Sequence, residues 1–534
     1  MEELTTIFAI ILFKGGNKDP QSHRSYQKIS TCPVLAKALD YYIVDFYSQG
    51  WQDIQAKTQF QGKDSSHELA SLAITEAALR SVNINGEPMY LLLLDVESAF
   101  DRVMIKQAIR CAFTAGTCDE GLLYLNKRLK SRLSFIECNR ELLGPIVDTV
   151  GLEQGGVVSD QVYRLVNNEQ LDVTQASGLG IDFGVGDEKC SMNIVLSAVG
   201  QADDVALMAS SLVNLKALLY LTEAYCLKFN VKLVPSKSEL FVYHPKRMFN
   251  EILLELLVNP VVSDGSVVAP SNSAMHVGVS PDGNGEHLSS RFSAHRRAIF
   301  GLLSTRLGRG HYLNPVVSLK IDQIYGPPIL ASGTSSLCLT KAEEKLLDQY
   351  YKVFLERVCR HHHTSPCFIY FVTGRLPFSG QLHLKMFSLF GQVCRHQEGH
   401  SILAKHGINV FSSPSPSSKS WFWKIRDLCL QYELPHPISW LNSCFSKAKI
   451  KNMCKSQVTQ FWLNKLRFEV PLLPSLKYLK TEILGLSVCQ PMFRLCSSST
   501  WEVRKATIQS ILLSGRYSSL ESLSKHILIS SRIP

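Results

Sequence analysis

The stretch "VLSAVGQADDVALMAS" (195–210) sets two adjacent carboxylates, Asp203 and Asp204, between two short apolar segments. Apolar runs on both sides of a polar centre predict two strands joined by a hairpin. Like charges beside buried strands are costly unless a cation or a partner neutralises them. The pair is therefore either a solvated turn or part of a cation site, and the rest of the chain has to decide.

About a hundred residues earlier, the apolar run "YLLLLD" (90–95) ends on Asp95, and a helix is expected over "VMIKQAIRCAF" (103–113). "GPIVDTVGLEQGGVVSD" (144–160) reads as a strand, a glycine-rich turn and the start of a helix. After the hairpin come a helix from Leu212 to Lys228 and a strand at "SELFVYH" (238–244). This order predicts a split βαβ arrangement: an α+β fold with an antiparallel sheet and helices on one face. If the strand ending at Asp95 lies beside the hairpin, three carboxylates meet at one sheet edge. Hard oxygen donors in such a set suit Mg²⁺. Two such ions about 3.5–4 Å apart stabilise the attacking and leaving oxygens of a phosphoryl displacement.

The chain has 534 residues, enough for two to four domains, and its 45% hydrophobic and 19% charged content is that of a globular protein. It has no run of roughly 18–20 apolar residues, so no membrane span is expected. "IFAIILF" (7–13) follows Glu2 and Glu3 and not a basic segment, which argues against a secretory signal. Fifteen irregularly spaced cysteines suit reduced thiols. The expected location is intracellular, nucleus or cytoplasm. Residues 1–240 carry 22 basic and 29 acidic residues, whereas residues 241–534 carry 34 and 17. An acidic front half and a basic back half suit a metal-using centre joined to a polyanion-binding surface. Beyond residue 290 the pattern is mostly helical, with a linker-like "SSPSPSSKS" at 412–420.

Five stretches follow in order: "LLLLDVESAFDRV" (91–103), "GLEQGGVVSD" (151–160), "GQADDVALMAS" (200–210), "PSKSELFVY" (235–243) and "HVGVSP" (276–281). Together they resemble palm motifs A to E of a reverse transcriptase of the non-LTR (LINE-type) retrotransposon family. "ILFKGGNKDPQSHRSYQKIS" (11–30) resembles that family's fingers segment. The resemblance covers residues 7–290, with a weaker similarity at "TGRLPFSGQLHLKMF" (373–387). It implies a right-hand polymerase: partial fingers over 1–80, palm over 81–245, and a primer-grip hairpin with helical thumb over 246–335. A basic, mostly α-helical C-terminal region would fill 336–534, with a linker near 411–420.

The implied activity is RNA-directed DNA synthesis on an RNA template and DNA primer, using deoxynucleoside triphosphates and two Mg²⁺ ions, with Mn²⁺ as an alternative. By position, Asp95 and Asp203 would bind metal, Val96 would offer its carbonyl, and Asp204 would be their catalytic neighbour. Phe100 would be the steric gate against a 2′-hydroxyl. Gln154, Gly155 and Gly156 would form the motif B turn, and Lys237 the general acid at the leaving pyrophosphate. Asp101 is expected to cap or hydrogen-bond the following helix and not to bind metal.

Departures from the family accompany the matches. Gln27 stands where an arginine would hold the triphosphate, leaving Lys14, Arg24 or Lys28 as substitutes, although a point charge replaces a bidentate fork poorly. Asp160 stands in place of a motif B proline, and Gln201 in place of a motif C aromatic. No segment matches the family's endonuclease domain or terminal Cys/His knuckle, so the resemblance implies a truncated copy. The alternative function is that of an impaired retrotransposon relic that only binds RNA or DNA. "CRHHHTSPC" (359–367) and "CRHQEGH" (394–400) fit no standard zinc spacing and are expected to be surface histidines. The lysines of 446–455 and the tryptophans of "SWFWK" (420–424) suit either nucleic-acid contact or a basic face over buried aromatics.

Overall fold

The computed structural model describes residues 5–15, 19–22, 25–130, 132–138, 141–183, 194–245, 248–271, 284–304, 315–358, 365–396, 401–413, 419–443, 445–476, 485–486, 494 and 499–514. The fold is α+β. Two compact units divide the chain: residues 1–277 with 395–417, and residues 278–394 with 418–534.

The first unit opens with β1 (Thr6–Phe13) and β2 (Tyr26–Thr31), then helices α1 (Val34–Asp53) and α2 (His67–Leu79). There follow β3 (Met89–Leu94), α3 (Ile105–Thr114), α4 (Asp119–Leu129), β4 (Arg132–Cys138), β5 (Glu141–Asp148) and α5 (Val157–Ala176). Short strands β6 (Ile181–Asp182) and β7 (Val195–Leu196) precede β8 (Ala198–Gln201), β9 (Asp204–Ala209), α6 (Leu212–Phe229) and β10 (Glu239–Tyr243).

One four-stranded sheet runs β10-β3-β9-β8 with every pairing antiparallel, as the element order predicts. All six residues of β3 are buried, because strands flank it on both sides and both of its faces are covered. That explains an unbroken apolar run where a half-exposed strand would alternate. Leu92, Leu94, Leu207 and Ala209 share one core with Val162 and Val166 of α5 and Leu215, Leu218 and Leu219 of α6. The second sheet, β2-β1-β4-β5, is mixed: β1 runs parallel to β4 and antiparallel to β2.

Residues 395–417 belong with this first unit through specific polar contacts. Arg395 Nε donates to Asp64 Oδ1 at 2.7 Å, and His406 Nε2 lies 2.9 Å from Glu76 Oε2 on α2. The linker-like stretch begins inside helix Ile402–Ser412, and 414–418 lie outside the described residues.

The second unit is helical among its described residues, and its longest helices are Asn284–Ser304, Lys341–Val358, Phe378–Arg395 and Lys447–Glu469. Its core is aromatic, with Tyr351, Phe368, Phe387, Phe390, Trp421, Tyr432 and Trp440 all buried. Trp421 therefore serves packing, and its Nε1 donates to the Ser335 carbonyl at 2.7 Å. The lysines at 447, 449, 451 and 455 are exposed. No helix among the described residues is long and apolar enough to cross a membrane.

Candidate active site

Strand register brings the acidic residues together. Gln201 pairs with Asp204, so β8 and β9 are joined by a two-residue turn, Ala202-Asp203. Leu94 pairs with Val205, so Asp95 leaves β3 at the same edge where Asp204 enters β9. Asp203 and Asp204 thus sit on a hairpin tip at a sheet edge, beside Asp95.

Local bonds fix each piece. Asp95 donates its N–H to Ser238 Oγ at 3.2 Å, and its carbonyl accepts from Val234 N–H at 2.9 Å. Glu97 N–H donates to the Lys232 carbonyl at 2.8 Å. These bonds hold the neighbours of Val96 and do not use its own carbonyl. Ala202 has φ of +58°, a left-handed conformation that costs a residue with a Cβ ~1–2 kcal/mol. Asn167 of α5 donates from Nδ2 to the Ala202 carbonyl at 2.9 Å. A hydrogen bond contributes about 1 kcal/mol net, the same order as that strain.

The electrostatics record the crowding. Burial, then the charge on Asp95, raises the Asp203 carboxyl above its ordinary range. Asp204, although its outer end reaches solvent, is pushed up to about 6 by partial burial and then by Asp203 and Asp95. Lys237 Nζ lies 3.3 Å from Asp95 Oδ2 and is the basic group at this edge. Among the described residues no three His, Cys, Asp or Glu side chains form a ready-made cage. Mg²⁺ does not require one, since it binds through one or two carboxylates, waters and substrate phosphates. Mutually repelling aspartates at a sheet edge fit that donor set. Because protons compete with cations here, Mn²⁺ affinity should fall as pH drops from 7.5 to 5.5 through the Asp204 value. Mn²⁺ titration of the free chain by electron paramagnetic resonance measures this, and a pH-independent affinity would contradict it.

Phe100 stacks on Tyr163 of α5 at 4.6 Å between centroids, with an interplanar angle of 20°. The loops carrying Phe100 and the motif B glycines are bonded together: Leu152 N–H donates to Phe100 O at 2.7 Å and Gly151 N–H to Val103 O at 2.8 Å. Gly151 has φ of +81°, and a Cβ there would lie 2.6 Å from the Asp101 carbonyl oxygen, so the close approach requires glycine. The Gln154 carbonyl accepts from Ser30 N–H at 2.9 Å, which ties this turn to β2. Gly155, with φ of +101°, would bring a Cβ within 3.0 Å of the Ser30 carbonyl oxygen. Gly156 is the residue from which α5 starts.

A buried ionic network not anticipated from the sequence supports that turn. Arg128 of α4 forks onto Glu153, donating to both carboxylate oxygens, one at 2.8 Å. Its Nη2 also donates to Asp40 Oδ2 of α1 at 3.3 Å, and Tyr124 OH donates to Asp40 Oδ1 at 2.7 Å. Arg132 donates to the Gly151 carbonyl at 2.9 Å. Arg128, Asp40, Glu153 and Arg132 are all nearly inaccessible to solvent. Asp40 falls on the same helical face as buried Ala36, four residues earlier, which is the signal the sequence did contain.

The remaining sequence candidates are placed as follows. Lys28 Nζ donates to Asp148 Oδ2 at 2.9 Å and Ser134 Oγ at 3.2 Å. Lys14 is exposed beside β1, and Gln27 pairs with Leu12. Arg24, the stretch 276–281 and the histidines at 361–363 and 400 lie outside the described residues, whereas His396, expected at the surface, is buried and stacks on Phe60. Asp160 accepts a hydrogen bond from Gln61 Nε2, and burial raises its carboxyl above the usual range. Asp101 does not cap the next helix: α3 begins after Met104 with no side-chain cap, because three residues separate Asp101 from that end.

Residues 16–273 match the family model described as reverse transcriptase (RNA-dependent DNA polymerase). The chain carries a reverse transcriptase domain. That domain holds the whole β10-β3-β9-β8 sheet with its acidic edge, and all of the second sheet except β1. Among solved structures, the chain is similar to telomerase from Candida tropicalis in complex with the TWJ fragment of telomeric RNA. There the identity is 10%, the coverage 85% of this chain and 64% of that one, and the TM-score 0.38. Apo telomerase from Candida tropicalis truncated from the C-terminal domain aligns at 10% identity over 52% of this chain and 53% of that one, TM-score 0.35. Telomerase from Candida albicans with the same RNA fragment aligns at 10% identity over 72% and 63%, TM-score 0.34. In each case the chain spans less than two thirds of the telomerase's length. Among curated proteins none matches.

Proposed function

We propose that this chain is an RNA-directed DNA polymerase of the non-LTR type, adding deoxynucleotides to a primer 3′-hydroxyl on an RNA template. The observation that carries the reading is the register-fixed meeting of Asp95, Asp203 and Asp204 at one edge of an antiparallel sheet. Fingers, palm and thumb would follow the sequence boundaries given above.

Asp95 and Asp203 would hold divalent cations, with Val96 offering its carbonyl. Mg²⁺ bound there supplies charge neutralisation for the triphosphate and a lowered pKa for the primer hydroxyl. Lys237, already within reach of Asp95, would offer a proton to the departing pyrophosphate. The Gln154–Gly156 turn would let template and nucleotide approach the backbone, and Phe100, backed by Tyr163, would press against the sugar. Lys14, Arg24 and Lys28 are the candidates for gripping the triphosphate. The Lys28–Asp148 pair and Gln27 favour the second reading, nucleic-acid binding without synthesis.

The deciding experiment incubates the purified chain with an oligonucleotide-primed RNA template, deoxynucleotides and Mg²⁺. Primer extension is expected. RNA retention on filters, weakening with salt but without extension, would leave only the binding reading. Phe100→Ala should raise ribonucleotide incorporation relative to deoxynucleotide by about 10- to 100-fold, the scale on which one lost steric contact alters discrimination. Single-nucleotide extension with each nucleotide measures it.

A further inference from the structure

The turn that carries Asp203 is held from outside its own sheet. Ala202 occupies a left-handed conformation with φ of +58°, and the two-residue turn contains no glycine to adopt it freely. Its carbonyl receives the Asn167 side chain at 2.9 Å, and Asn167 is only 4% exposed. One helical turn earlier on α5, Tyr163 stacks on Phe100. Positions four apart lie on the same side of a helix, so one face of α5 meets both the carboxylate tip and the aromatic gate.

The helix is itself anchored. Tyr225 OH of α6 donates to the Val166 carbonyl at 3.1 Å. The next side chain along, Asn168, accepts from Ala56 N–H at 3.1 Å and donates to the Ile54 carbonyl at 3.2 Å. Asn167 is thus a fixed donor that reaches a strained turn from a stationary frame.

We propose that Asn167 is a positioning residue that sets the place of Asp203 relative to Asp95 and Phe100. It thereby governs how tightly the acidic edge holds divalent cations. It touches the Ala202 backbone and acts only through it. The effect on turnover rests on the polymerase reading, whereas the effect on cation affinity does not.

The test uses the full chain with Asn167→Ala and three measurements. Mn²⁺ binding to the free chain, read by electron paramagnetic resonance, should weaken by roughly five- to tenfold, the worth of one hydrogen bond. Primer extension should lose kcat by a similar factor with an unchanged Kd for primer–template. The melting temperature should stay close to the parent's. Adding Ala202→Gly should restore at least half of the lost Mn²⁺ affinity, because glycine takes positive φ without the tether. Parental Mn²⁺ affinity in Asn167→Ala, with or without a lowered melting temperature, would overturn the proposal and leave a structural staple. If the parent extends no primer, the polymerase reading fails, and the Mn²⁺ measurement still decides the role of Asn167.

Discussion

Asp203→Asn is expected to lower primer extension by at least about 10³-fold, or ~4 kcal/mol of transition-state stabilisation. The substitution keeps the shape of the side chain and removes one negative oxygen donor from the edge where Asp95 and Asp204 converge. A neutral amide is a poor ligand for a hard dication, so the loss should appear in both cation affinity and turnover. Stability should move the other way or not at all. Burial and Asp95 already disfavour the charged form of Asp203 in the fold, so neutralising it relieves repulsion. A variant that melts at or above the parental temperature yet does not extend primers separates chemistry from unfolding. Parental extension by Asp203→Asn would remove Asp203 from the reaction.

Arg128→Leu should produce the largest loss of stability. The guanidinium is nearly inaccessible and bridges Glu153 and Asp40, both equally buried. Its removal leaves two carboxylates without their counter-charge, and breaking a buried pair in this way costs ~3–5 kcal/mol. Arg128→Lys should fall between the two, because an ammonium keeps the charge but cannot fork across both oxygens of Glu153. Glu153 directly precedes the Gln154–Gly156 turn, so the damage should reach the site as well as the fold. Urea denaturation of parent, Leu and Lys variants gives the ordering. A Leu variant unfolding at the parental urea concentration would show that the network is not what holds this turn.

Much of the site was legible because it depends on short-range pattern. An apolar run ending at Asp95 and a hairpin centred on Asp203 and Asp204 are local statements, and antiparallel pairing converts them into proximity. The glycines at 155 and 156 announced a tight turn, and the residues around them resembled a reverse transcriptase motif, in keeping with the domain matched over 16–273. Lys237 followed only from the resemblance of "PSKSELFVY" to motif D, and the structure then pairs the strand after it with β3.

Other features had little local signature beyond the place of Asp40 on the helical face of Ala36. Asp40, Arg128 and Glu153 read as ordinary surface charges on helices and a loop. They are a buried network only because three separate segments deliver opposite charges to one point. Asn167 looks like any polar helix residue until the hairpin tip arrives beside it. The pairing of Lys28 with Asp148 depends on a mixed sheet in which β4 lies between β1 and β5. The return of residues 395–417 to the first unit rests on Arg395–Asp64 and His406–Glu76, pairs more than three hundred residues apart in sequence.

The sequence by itself determined that Asp95 ends an apolar strand and that Asp203 and Asp204 centre on a hairpin, since both follow from local periodicity and turn length. The pairing of β3 with β9 then makes one sheet edge of them. Only the tertiary structure decided what holds that edge in position. Partners of buried charges and strained turns are chosen by distance in space, and neither composition nor spacing records that distance.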